Sequence, residues 1–86
     1  MNKYSVSLSN SQCIFDSRDD FESISDLLAW AYGRGGQYVI HIQCGSDTAG
    51  ISIAYDDNTE PYAHYDGWDW QSIDRSKVES YIKERL

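Results

Sequence analysis

Apolar residues recur at every second position along several stretches of this chain, a period that dictates extended backbone with one buried face. Tyr4, Val6 and Leu8 alternate with Ser5, Ser7 and Ser9. Tyr38, Ile40, Ile42 and Cys44 share a second such face, and Ile51, Ile53 and Tyr55 a third. A sheet of these strands has one apolar and one polar side, so it needs a covering layer on the apolar side only. The cover is encoded at helical spacing, where Phe21, Ile24, Leu27, Leu28 and Ala31 form one stripe that Gly33 ends. Ser17 is the expected cap of that helix, with Asp19, Asp20 and Glu22 at the positive end of its dipole.

The remaining elements are shorter. Cys13-Ile14-Phe15 reads as a strand returning from the Ser9-Asn10-Ser11 turn to pair with the first. Another strand is expected at Tyr62 to Tyr65, after the turn chemistry of residues 56–61. Ser76-Lys77-Val78-Glu79 has the capping-box pattern, and Val78, Tyr81, Ile82 and Leu86 continue it as a helical stripe with Lys83 and Arg85 in the last turn. The expected fold is α+β, in the order β-β-α-β-β-β-α: a two-layer sandwich with an antiparallel sheet and two helices on one face. Eighty-six residues make one domain, 1–86, with a core too small for a deep pocket.

Charge is distributed unevenly. The net charge is −7. Residues 47–74 hold Asp47, Asp56, Asp57, Glu60, Asp66, Asp69 and Asp74 without a single Lys or Arg, so the whole net charge sits in that third of the chain. No basic residue occurs between Arg34 and Arg75. Direct binding to nucleic acid or to an anionic membrane is therefore disfavoured, because both select basic surfaces. The same third holds Tyr55, Tyr62, Tyr65, Trp68 and Trp70. Solvating acidic segments are poor in aromatics, whereas Tyr and Trp dominate interface hot spots and carboxylates beside them steer a basic partner. The plain alternatives are a solvated turn at 56–61 and tryptophans that plug the end of the sheet. Seven charges at a phosphate spacing of ~3.4 Å span about 24 Å of a nucleic-acid strand, which fits on a domain about 30 Å across.

Other chemistries lack their signatures. Cys13, Cys44, His41 and His64 have no close metal-ligand spacing, and His41 and Cys44 point to opposite faces of one strand. Residues 56–60 lack the spaced ligands and glycine of a calcium loop. Nothing in the spacing joins Cys44, His64 and Asp66 as a nucleophile with its base, and Gly33-Arg34-Gly35-Gly36 follows a helix without the P-loop Lys-Ser/Thr. No enzyme activity, metal or cofactor is expected. Met1-Asn2-Lys3-Tyr4 has no apolar h-region and no stretch approaches 18 apolar residues, so a cytoplasmic protein with reduced core thiols is expected.

In size, acidity and β/α order, and in the acids Asp56, Asp57, Glu60, Asp66 and Asp69, the chain resembles the small phage-encoded anti-defence proteins, among them anti-CRISPR proteins. No family motif matches residue by residue, so no functional residue is carried over. The resemblance implies stoichiometric occlusion of a DNA- or guide-binding channel on a nuclease or CRISPR effector subunit with a basic surface. From the residues themselves, the expected contact set is Asp56, Asp57, Glu60, Tyr62, Tyr65, Asp66, Trp68 and Asp69. An immunity protein against a toxin nuclease follows from the same physics. A small carbohydrate- or ligand-binding module, and self-association through a strand edge, are the alternatives of other classes.

Overall fold

A computed structural model describes residues 3–11, 13–44, 50–58, 62–66 and 69–85, the Asp66 side chain excepted. The elements are β1 (Tyr4–Ser9), β2 (Ile14–Phe21), α1 (Ile24–Tyr32), β3 (Gln37–Cys44), β4 (Gly50–Asp56), β5 (Tyr62–Asp66), β6 (Asp69–Ile73), a 3₁₀ turn at Arg75–Lys77, and α2 (Val78–Arg85). The six strands form one antiparallel sheet in the order β2-β1-β3-β4-β5-β6, so the fold is α+β. The expected element order is kept, with β6 as an additional strand before the last helix.

Register aligns the alternating apolar residues into rows across the sheet. Leu8, Ile40 and Ile53 pair side by side, as do Val6, Ile42 and Ile51. The first row is fully buried. Ile24, Leu27, Leu28 and Ala31 of α1 and Val78 and Ile82 of α2 join the same core cluster, so both helices cover one face. Each such aliphatic side chain contributes about 1.5–3 kcal/mol by leaving water, which is why the pattern dominates the outcome.

Two helix starts differ from the sequence expectation. Residues 17–21 are not helical: β2 runs on to Phe21, pairing Ser17 with Ser7 and Arg18 with Val6. Phe21 mimics the helical stripe by its spacing to Ile24, but it closes β2 opposite Tyr4 and meets Trp30 at 5.6 Å. The unpaired edge of β1 offers these residues backbone hydrogen bonds that a local helix start cannot match. The true cap is Ser23, whose hydroxyl accepts from the Asp26 N–H at 3.1 Å. At the other end, Ser76 lies within the 3₁₀ turn that opens at Asp74. Glu79 does not reach back to it, accepting instead from Ser25 Oγ at 2.8 Å and pairing with Lys83 at 2.9 Å, which ties α2 to α1.

The connection from α1 to β3 passes through Gly35 and Gly36, both at positive φ (71° and 93°). That left-handed backbone is cheap only for glycine. It turns the Gly36 N–H onto the Asp57 carboxylate at 2.7 Å and places Tyr38 so that its hydroxyl donates to the Ala31 carbonyl. Among the described residues, no helix is long and apolar enough to cross a membrane.

Candidate functional site

The fold divides the expected acidic and aromatic contact set between the two ends of β5. At one end, β4 runs into Asp56 and Asp57, and both carboxylates are engaged internally. Asp56 accepts from Gln37 Nε2 and from the Asn58 N–H, each at 2.8 Å. Asp57 accepts from the Tyr55 hydroxyl and from Gly36 N–H, and these bonds, in that order, hold its carboxyl below the usual carboxylate range. These two acids therefore build the corner between α1, β3 and β4. Asp57 nevertheless stays exposed and Asp56 half-buried, so each orders its own turn while its carboxylate remains at the surface.

Tyr62, by contrast, is a core residue, which corrects its placement as a partner-contact anchor. It is 2% exposed and lies edge-on to Tyr55 at 5.0 Å, with Tyr32 at 5.7 Å and the Arg75 guanidinium over its ring at 4.5 Å. Alternation decides this: Tyr62 and His64 face the helices, while Ala63 and Tyr65 face away. Burial raises the pKa values of Tyr32, Tyr38 and Tyr55, first through desolvation, with Tyr38 pushed up to about 12. His64 packs against Tyr81 at 4.3 Å.

At the other end of β5, about 13 Å away along the strand, β6 brings a second set together. Tyr65 and Trp70 pair across the β5–β6 hairpin with ring centroids 5.5 Å apart. Both rings stay open to solvent, at 43% and 45% exposure. Asp69, the residue before Trp70 and on the opposite face of the strand, is exposed and accepts from the Trp70 N–H at 3.2 Å. Asp66 pairs with Asp69 in the backbone register, and Glu60 and Trp68 lie outside the described residues. Trp70 is not among the expected contacts and is a core-plug candidate by sequence, whereas in the fold it is exposed; the alternation of Trp68, Trp70 and Ser72 is the sequence signal for a strand at residues 69–73. Strands β3 to β6, four of the six, contain no Lys or Arg, so the Tyr65–Trp70 pair sits at the end of a stretch of sheet without Lys or Arg side chains.

The polar face of the sheet is a second feature. It forms an open groove of about 930 Å³ lined by Ser5, Ser7, Ser17, Gln43 and Ser52, with Ile14 and Tyr65 among its walls. His41 stands in its middle, with Nδ1 2.8 Å from Ser52 Oγ and Nε2 3.1 Å from Ser9 Oγ. Partial burial lowers the His41 pKa, which favours the neutral ring.

The cysteines do not form a site. Cys13 is exposed rather than in the core, Cys44 is half-buried, and both are free. Cys44 lies four residues along β3 from the row that holds His64 and two strands across from it. That is about 13 Å along the sheet and about 10 Å across it, so the two share no chemistry. Among the described residues, no group of three His, Cys, Asp or Glu side chains comes together to hold a metal ion.

The protein is thus an α+β two-layer domain that presents a polar sheet face and, at one sheet edge, an exposed aromatic pair with a carboxylate. Comparison with protein-family models, curated proteins and solved structures finds no match.

Proposed function

We propose that this chain is a small acidic protein inhibitor that binds a basic, nucleic-acid-handling protein, in the manner of phage anti-CRISPR proteins, and blocks a nucleic-acid-binding channel of a bacterial defence nuclease complex. The observation that carries the reading is the Tyr65–Trp70 pair, two large rings left open next to Asp69 of the opposite face, in strands β3 to β6 that carry no Lys or Arg. Exposed Tyr and Trp of this kind supply desolvated anchors, and surrounding negative charge speeds encounter with Lys and Arg that otherwise hold phosphates. The domain measures 34 × 25 × 23 Å, long enough to occupy a phosphate track of about 24 Å. Inhibition is by occupancy, with one chain filling one channel and no bond made or broken.

The test is affinity capture from bacterial lysate with the wild type and a Tyr65→Ala/Trp70→Ala variant, followed by nucleic-acid binding by the captured enzyme. A nuclease complex retained by the wild type alone, and unable to bind its nucleic acid while the inhibitor is present, is the expected result. Equal recovery by both chains, or an enzyme that still binds nucleic acid, removes the proposal. If the captured enzyme is a toxin nuclease, the chain is an immunity protein acting through the same surface.

The groove around His41 favours one second reading, a small-ligand or carbohydrate module. Hydroxyls, an imidazole and an amide line it, and Tyr65 offers a ring to a sugar face. Quenching or enhancement of tryptophan fluorescence by a neutral saccharide, lost on His41→Ala, is its signature.

A further inference from the structure

The two edges of the sheet are built differently. β2, at one edge, is irregular, with two register shifts against β1, and carries Asp16, Arg18, Asp19 and Asp20. Bulges and charges of that kind are how edge strands resist pairing with another chain. β6, at the opposite edge, has no bulge and a single charge. Its five residues pair with β5 without a shift, they include no proline, Lys or Arg, and the one charge is Asp69 at the strand's start. Among the described residues, no strand covers its outer side.

The register also says which backbone groups face outward. The hairpin closes on the Asp66–Asp69 pair, and hydrogen-bonded and non-hydrogen-bonded pairs alternate from there. Trp70 and Ser72 therefore turn their N–H and C=O groups away from β5. The Trp70 N–H confirms the phase, since it is taken by Asp69 Oδ1 instead of a β5 carbonyl. A carbonyl from an added strand replaces that carboxylate and leaves it free to receive a cation.

We infer that β6 is a strand-addition site for an extended segment of the partner that alternates basic and apolar residues. The inference rests on the inhibitor reading and specifies how that partner is held. Side chains of an added strand alternate between the two sheet faces. Those on the polar face lie over Tyr65 and Trp70 and are apolar; those on the other face lie beside Asp69 and are basic. A second copy of this chain is the poorer occupant, because two chains of net charge −7 repel each other.

The test titrates the full chain with a synthetic peptide alternating lysine and valine, using a proline-interrupted version as control, and follows amide shifts and hydrogen exchange. The expected result is protection of the Trp70 and Ser72 amides by the alternating peptide only. Ser72→Pro, which removes an outward N–H that β5 does not use, weakens binding about tenfold, and Ser72→Ala leaves it unchanged. Shifts centred on Asp16 to Asp20 or on Ser7, His41 and Ser52, or no shifts, overturn the inference. So does protection of the same amides in the concentrated chain without peptide, which makes a second copy the occupant. If Ser72→Pro fails to fold, exchange in the wild type decides alone. Capture of a nuclease that needs Trp70 but survives Ser72→Pro leaves the inhibitor reading standing and removes this one; peptide pairing at β6 without any such capture does the reverse.

Discussion

Truncating Tyr62 to alanine removes a ring that is 2% exposed and packs between Tyr55, Tyr32 and the Arg75 guanidinium. Replacing a buried aromatic by alanine costs about 3–5 kcal/mol, from lost transfer energy and the cavity left behind. At 0.05–0.15 kcal/mol per residue, a domain of this length has about 4–13 kcal/mol in total, so the variant loses about a quarter or more of its stability. With a urea m-value of about 1–2 kcal/mol/M, the unfolding midpoint falls by about 1.5–5 M. Trp70→Ala is the matched control: its ring is nearly half exposed, and its midpoint moves by less than about 0.5 M. The assay is urea denaturation followed by far-UV circular dichroism, with binding measured on the same samples. A Tyr62→Ala chain that unfolds within about 0.5 M of wild type and loses partner binding would return Tyr62 to the contact set and refute its assignment to the core.

Further predictions address the helix start, the acid response, the groove histidine and the thiols. Ser23→Ala costs about 1 kcal/mol in the same denaturation assay, whereas Ser17→Ala stays within about 0.5 kcal/mol, since only Ser23 caps α1. Tyr55 and Gly36 depress the Asp57 pKa, as Lys83 and Ser25 depress that of Glu79. Their stabilisation is therefore complete above the unfolded carboxylate pKa of about 4 and is lost as pH falls through the lower folded values. Asp57→Asn makes the acid limb of the stability profile shallower, and an unchanged limb counts against the bond to Tyr55. His41, also depressed, is neutral in the fold at pH values where the unfolded chain binds a proton, so stability falls as pH drops below about 6.5. Its ring protons, followed by NMR, titrate below that value. Iodoacetamide labels Cys13 before Cys44, as peptide mass spectrometry would show, because Cys13 is exposed and Cys44 half-buried.

Sequence periodicity alone determined the sheet core, the two helices on its apolar face and the α+β class. An alternating run such as Tyr38–Cys44 buries one face in only one way, and a one-residue slip would put every apolar side chain into water. The candidate site was legible as a region but not as residues. Asp56, Asp57, Tyr62, Tyr65 and Asp69 look equivalent in a list of acids and aromatics. The register separates them, sending Tyr62 to the core, binding Asp56 and Asp57 into a corner, and leaving Tyr65 and Asp69 in the open. The span of β2 and the existence of β6 were likewise decided by tertiary structure. Residues 16–20 and 69–73 have weak local preferences, and each becomes a strand because a neighbour, β1 or β5, presents a row of unpaired backbone groups. A chain can state which face of an element is apolar, but which backbone groups find partners depends on elements distant in sequence.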